Sequence, residues 1–263
     1  MLPLPALDTT LPESLVELFS RQWAKFSEGP DQQQREQVSQ LLTDQPEAVN
    51  RLARTWIASD YVAEQCQRYP ALLLELLSGG DLERSYPSSH YHDRLAGLIE
   101  PLDSEESLMQ VLRRFRRREQ IRIIWRDRLA QVDMQETTHD VSRLADACID
   151  CSLDWLYRQA CHKWGTPMSQ VNGTPAAQRL VVLGMGKLGA DELNLSADID
   201  LIFAYEGKGQ TEGGDKQLDN QEFFIRLGQR LIHVLDARTA DGFVFRVDMR
   251  LRPYGDSGAL VLN

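Results

Sequence analysis

No stretch of this sequence approaches the roughly 18 consecutive apolar residues that a bilayer-spanning helix needs, which argues against a membrane protein. Its start, Met1-Leu2-Pro3-Leu4-Pro5, has neither a positive segment nor an apolar core long enough for a signal peptide. A cytoplasmic location is therefore expected. Cysteine is scarce: Cys66, Cys148, Cys151 and Cys161 all fall in segments that read as helices. Cys148-x-x-Cys151 has no second pair at zinc spacing, so buried free thiols are expected rather than a zinc site. A basic excess is also missing. Lys plus Arg number 29 against 39 Asp plus Glu, a net charge of −10, which disfavours a nucleic acid backbone as partner. What remains is ordinary for a globular protein: 42% hydrophobic and 26% charged residues in 263, enough for one large domain or two small ones.

The chain changes character near Gly165. Up to that point the apolar residues repeat at helical spacing only. Thr10-Leu11-Pro12-Glu13 reads as a capping box, with Leu15, Leu18, Phe19, Trp23 and Phe26 following and Gly29-Pro30 ending the run. Shorter helices are predicted around Val49–Ile57 and Ala71–Leu77. Tyr86 to His92 reads as a loop, with His90 and His92 on the surface. Ser104 caps a long helix whose stripe is Leu108, Val111, Leu112, Phe115, Trp125, Leu129 and Val132. Its arginine run, Arg113 to Arg118, reads first as a solvated face and second as a surface that docks an acidic partner or packs on the later region. A further helix covers about Asp140 to Trp164, with Leu144, Cys148, Trp155 and Leu156 inward. Residues 1–165 are thus expected to form a helical domain.

From residue 166 to 263 strands appear. Arg179–Gly184 reads as a buried strand, Asp198–Tyr205 as a second and Phe243–Leu251 as a third. Gly207–Gly214 reads as a polar loop, and Asp219 caps a helix with Phe224, Leu227, Leu231 and Leu235 facing the sheet. The fold class is α+β: an all-helical region followed by a mixed sheet with helices.

Residues two apart in a strand share a face, so Asp198 and Asp200 present two carboxylates side by side while Ile199, Leu201 and Phe203 enter the core. Like charges held so close call for a cation. A solvated strand edge is the alternative, but the run continues into apolar Leu201-Ile202-Phe203-Ala204. The third strand repeats the pattern, with Val244, Arg246, Asp248, Arg250 and Arg252 on one face. A carboxylate flanked by guanidiniums suits magnesium beside phosphate: oxygen ligands for the ion, arginine forks for phosphoryl oxygens.

Gly184-Met-Gly186-Lys187-Leu-Gly189 follows a strand and matches the dinucleotide fingerprint. The nine residues between Gly189 and Ile199 are too few for the crossover helix such a site requires. A glycine-rich turn whose backbone N–H groups approach phosphate oxygens, with Lys187 adding charge, is the better reading.

Gly186, eleven residues, then Asp198-x-Asp200 resembles the nucleotidyltransferase superfamily that includes DNA polymerase beta. The strings Gly184–Gly189, Glu192-Leu-Asn194, Asp198–Phe203 and Val247–Pro253 resemble, more specifically, the bacterial glutamine synthetase adenylyltransferases, whose long chains carry two similar nucleotidyltransferase halves. This sequence is similar to the N-terminal, adenylyl-removing half. Two positions depart from the family's usual pattern, Ala190 for a second glycine and Ala197 for a second serine, and neither touches a carboxylate. The resemblance implies a polymerase-beta-type sheet and phosphorolysis of AMP from an adenylylated tyrosine of glutamine synthetase, giving ADP. It implies Mg²⁺ held by Asp198, Asp200 and Asp248, and phosphates held by Gly184, Gly186, Lys187, Arg250 and Arg252, with Ser196 as hydrogen-bond donor. Glutamine synthetase, the PII signalling protein, phosphate and ATP or ADP are the implied partners. The apolar end, Gly258–Asn263, reads as a fragment boundary. A nucleic-acid nucleotidyltransferase, a dinucleotide-dependent oxidoreductase and a non-catalytic regulatory module are the other classes open to these residues.

Overall fold

The computed structural model of the protein describes residues 2–7, 11–171 and 173–263. It has an all-helical first part and a mixed-sheet second part, an α+β arrangement. No described helix is long and apolar enough to cross a membrane. Two compact units form: Met1–Tyr86 with Arg117–Thr137, and Pro87–Arg116 with Thr138–Asn263. The change from helices to strands falls at Gly165, so division by compactness and division by secondary structure do not coincide.

The first unit holds α1 (Glu13–Glu28), α2 (Gln32–Asp44), α3 (Pro46–Ala58), α4 (Asp60–Arg68), α5 (Pro70–Ser78) and the later part of α7 (Glu105–Arg128). Thr10 of the expected capping box lies outside the described residues. Helix α1 stops at Gly29, as expected, and prolines open α3 and α5 where no N–H is needed. Phe19, Trp23, Phe26 and Trp56 are buried together, with ring centroids 5.0–6.3 Å apart. Helical spacing put the first three on one stripe; only the fold adds Trp56.

The arginine run is not a solvated face. Arg113, Arg117 and Arg118 are buried, as are Arg122 and Arg126 one and two turns on. In the first unit Arg118 pairs with Glu119 and Glu75, each at 2.7 Å, and with Asp81. Arg122 donates to the Asp81 carbonyl at 2.9 Å, and Arg126 to Glu136 at 2.9 Å. Burial alone would push the Asp81 carboxyl up, but hydrogen bonds from Arg84 and Arg118 outweigh it and bring it down to about 2. Composition read these charges as solvent-facing because it does not show their partners; a buried charge persists only when paired.

The second unit begins with α6 (His90–Ile99), so the expected loop over Tyr86–His92 ends at His90. Helix α7 starts after Ser104, whose hydroxyl accepts from Ser107 N, as its cap position predicts. Helix α8 (Met134–Trp164) buries Leu144, Cys148, Trp155 and Leu156, as spacing predicted. Cys66, Cys148 and Cys151 are buried and Cys161 partly so.

Beyond Gly165 the strands form two sheets. Strands β1 (Thr166–Val171), β2 (Thr174–Ala177) and β5 (Thr211–Glu212) run antiparallel in the order β2-β1-β5. The β1–β2 hairpin was not anticipated, and β5 lies inside the segment read as a loop. The second sheet holds β3 (Val181–Gly184), β4 (Ile199–Ala204), β6 (Val247–Asp248) and β7 (Val261–Leu262). Strand β3 is antiparallel to β4, while β6 and β7 are parallel to it. Helix α10 (Asn220–Asp236) is capped by Asp219, which accepts from Gln221 N at 2.8 Å, and buries Phe223, Phe224, Leu227, Leu231 and Leu235.

Two strand expectations need correction. Strand β3 is not buried: Val181 and Leu183, on one face, are 49% and 46% exposed, and among the described residues β3 pairs with β4 alone. The third strand is two residues long rather than nine. Before it, Val244 N and Phe245 N both donate to the Leu235 carbonyl instead of a strand, and both side chains are buried, which breaks the alternation. After it, the Asp248 carboxylate accepts from Arg250 N at 2.8 Å, a side-chain turn that competes with the ladder and ends it.

Candidate active site

The parallel ladder between β4 and β6 sets Ile199 against Val247 and Asp200 against Asp248. Ile199 N also donates to the Arg246 carbonyl at 2.9 Å. Registered residues of neighbouring strands share a sheet face, so Asp200 and Asp248 emerge side by side, with Asp198 two residues before Asp200 on the same side. The other side is core, where Ile199, Leu201 and Phe203 are fully buried. A one-residue slip would bury the carboxylates and expose these three side chains, so the apolar residues fix the register that brings the acids together.

The three carboxylates differ in their surroundings. Asp198 pairs with Arg246, Nε to Oδ1 2.5 Å, and Arg246 also donates to the Ser196 carbonyl at 2.9 Å. Asp248 accepts from its neighbour Arg250 through Nε at 2.8 Å and 3.0 Å and through Nη2. Those hydrogen bonds hold the Asp248 carboxyl below the usual carboxylate range. The Asp200 carboxylate has no ion pair or hydrogen bond among the described residues. Its neighbours are Asp248 across the ladder and Gly186, where an added Cβ would lie 2.8 Å from Asp200 Oδ2 at a φ of +53°. Glycine is therefore required there twice over, by backbone conformation and by the carboxylate.

The glycine turn is α9 (Gly186–Gly189), a single turn closed by Gly189 N to the Met185 carbonyl and Ala190 N to the Gly186 carbonyl, each 3.1 Å. Met185 N donates to the Asp200 carbonyl at 2.8 Å, which ties the turn to β4. With β3 and β4 antiparallel across this turn, the parallel crossover of a dinucleotide-binding unit is absent from these strands, as the short connector indicated. Ala190 has a negative φ, −88° with ψ 0°, a turn conformation open to residues other than glycine. Lys187 and Ser196 are exposed beside these elements.

Arg250 and Arg252 do not continue a strand face with Asp248, contrary to expectation. Both lie in the turn that follows β6, where Arg252 Nη1 donates to the Met249 carbonyl at 2.8 Å. Sequence reasoning passed over two contributors. Arg246, placed on the right face but given no role, is the cation nearest the Asp-x-Asp pair. Asp191 anchors the exit of the glycine turn, accepting from His139 at 2.6 Å and Arg143 at 2.9 Å on α8. Nothing in its local sequence marks it, because both partners are about fifty residues away.

An oxygen-only donor set on rigid strands is chemically suited to a hard divalent cation. Backbone placement fits such an ion, with Asp200 open to it. Two of the three carboxylates are instead neutralised by guanidiniums, and among the described residues no three acidic, histidine or cysteine groups gather as a ready-made cluster.

Residues 49–263 match a protein family described as glutamate-ammonia ligase adenylyltransferase. Similar curated proteins are named bifunctional glutamine synthetase adenylyltransferase/adenylyl-removing enzyme. That of Pseudomonas aeruginosa is 55% identical over 217 residues, covering 82% of this chain and 22% of its own length. That of Nitrosococcus oceani is 47% identical over 253 residues, covering 96% and 25%. That of Shewanella loihica is 44% identical over 259 residues, covering 97% and 26%. The chain thus spans about a quarter of these relatives.

Proposed function

The chain belongs to the glutamate-ammonia ligase adenylyltransferase family, and on that premise we propose that its carboxylate site removes AMP from an adenylylated tyrosine of glutamine synthetase. Inorganic phosphate attacks the AMP phosphorus, the bond to the tyrosine oxygen breaks, and ADP and free tyrosine leave. The observation that carries this reading is the register of Asp200 against Asp248, with Asp198 two residues away on the same face.

Asp198, Asp200 and Asp248 would hold Mg²⁺, which supplies charge neutralisation at the transferring phosphorus and at the leaving tyrosine oxygen. The rest falls to the protein's own groups. Phosphate is already anionic, so no strong general base is required, and none is positioned among the named residues. Arg250 and Arg252, on the turn beyond Asp248, and Lys187, beside the glycine turn, supply positive charge to hold phosphoryl oxygens. Gly186 keeps the backbone close to Asp200, Gly184 leaves room for the turn at Leu188, and Ser196 offers a hydroxyl before β4. PII as a regulatory partner and a cytoplasmic location complete the reading. The test is ADP formation from adenylylated glutamine synthetase, phosphate and Mg²⁺, with Asp200→Asn as the control. Equal ADP from the variant overturns the assignment.

A further inference from the structure

The two aspartates of the Asp-x-Asp pair, two residues apart at the start of the β4–β6 ladder, meet opposite charges. Asp200 faces a second carboxylate, Asp248. Two positions earlier, just before the Ile199–Val247 rung and where Arg246 accepts from Ile199 N through its carbonyl, Asp198 faces a guanidinium. Arg246 grips the Asp198 carboxylate by Nε and the Ser196 carbonyl by Nη2, so it clamps two residues of the segment that leads into β4. The pair is half-exposed, with side chains 52% and 47% accessible, and neither group is locked in place by burial.

We propose that Arg246 is a resident counter-ion that occupies Asp198 while no cation is bound, competes with a divalent cation for that carboxylate, and makes the site load from the Asp200 side first. This rests on the reading of the carboxylates as a cation site. Two positive groups cannot share one carboxylate face without repulsion, so a cation that takes Asp198 must turn Arg246 away. The displaced guanidinium, still anchored by Nη2 on the Ser196 carbonyl, then has the donors it used on Asp198 available to phosphoryl oxygens. Arg246 thereby becomes a positioning residue for the phosphate as well as a brake on premature cation binding.

The test is Mn²⁺ binding to the 263-residue chain, read from the electron paramagnetic resonance of free Mn²⁺, with no turnover involved. Arg246→Gln is expected to raise Mn²⁺ affinity by about two- to fivefold, the factor corresponding to an exposed ion pair. In an Asp198→Asn background the same substitution is expected to have little effect, because the competitor has lost its carboxylate. Unchanged or weaker Mn²⁺ binding in Arg246→Gln overturns the inference, as does an equal gain in both backgrounds, which would be a general charge effect. Urea unfolding of each variant checks that the fold is kept, and Arg246→Lys, which retains the charge without the two-point grip, is expected to fall between. The outcomes separate the two proposals. Mn²⁺ binding that depends on Asp200 but ignores Arg246 overturns only this one, whereas no Mn²⁺ binding in any variant overturns the cation site itself.

Discussion

Asp200 and Asp248 are register partners on parallel neighbouring strands, so two carboxylates with the same charge are held side by side by backbone hydrogen bonds rather than by any attraction between them. Asp248 is relieved by Arg250, whereas Asp200 has no relieving partner among the described residues. Asp198 is paired with Arg246, so Asp200 is the one of the three carboxylates without a cationic partner among the described residues.

That asymmetry separates two substitutions that look equivalent in sequence. Asp200→Asn is expected to raise the cation-free melting temperature, because it removes one of two crowded like charges. Asp198→Asn is expected to leave it unchanged or lower it, since the lost charge was paired. Both are expected to reduce ADP formation by orders of magnitude. Thermal melts in chelator and the phosphorolysis assay check the two halves. A matching rise in both melting temperatures would contradict the pairing described for Asp198.

Arg250→Ala is expected to weaken ADP or phosphate binding by about 1.5–3 kcal/mol, the range for hydrogen bonds to charged groups. Arg252→Ala is expected to weaken binding similarly and also to lower stability, since Arg252 holds the Met249 carbonyl. Calorimetric titration beside urea unfolding distinguishes the contributions. Unchanged affinity in both variants would leave these arginines as structural groups.

Arg113 donates to the carbonyls of Gly242 at 2.9 Å, Val234 at 3.2 Å and Ala237, closing the end of α10 and the connection toward β6. Replacement by alanine strands buried carbonyls that cost about 1–3 kcal/mol each. Arg113→Ala is expected to lose about 2–5 kcal/mol in urea unfolding, whereas Arg114→Ala, on an exposed position, loses less than about 0.5 kcal/mol. Equal small losses would place Arg113 among ordinary surface residues.

Burial pushes the Cys66 thiol up to about 12 and, with nearby carboxylates, the Cys151 thiol to about 12. An unfolded thiol ionises near about 8.5. Between these values the folded chain keeps protons that the unfolded chain loses. Stability from this source is thus complete below about 8.5 and is lost as pH rises toward 12, by up to about 1.4 kcal/mol per pH unit for each thiol. Urea midpoints at pH 8 and 10 measure the slope, and Cys66→Ala should make it shallower. Disulfide reagents are expected to reach both thiols only on unfolding; rapid modification of the native protein would contradict their burial.

Most of the helices were legible because long amphipathic runs repeat their apolar residues every turn, and Gly29, Ser104 and Asp219 mark ends where they act. The β1–β2 hairpin was not read from the sequence, where Pro167 and Pro175 argue against strands. The third strand was overread because alternation persists in sequence beyond the point where the Asp248 side chain captures Arg250 N. Of the readings given to the arginine run, packing on the later region holds for Arg113, whereas the solvated face fails for Arg113, Arg117 and Arg118. Their partners Asp81, Glu75 and the α10 carbonyls are distant along the chain, and no local pattern reveals them.

By itself the sequence determined which face of β4 is core and which carries acids, since period-two alternation of Ile199, Leu201 and Phe203 admits only one orientation. It also marked Gly184–Gly189 as a glycine-rich turn, whereas the positive φ of Gly186 and its approach to Asp200 came from the structure. Only the tertiary structure decided that Asp248 stands opposite Asp200, that Arg246 rather than Arg250 or Arg252 meets Asp198, and that Arg113 is buried. Each of these is a pairing across distant segments. Such pairings are set by strand register and packing, and those depend on the whole hydrophobic core rather than on neighbours in the chain.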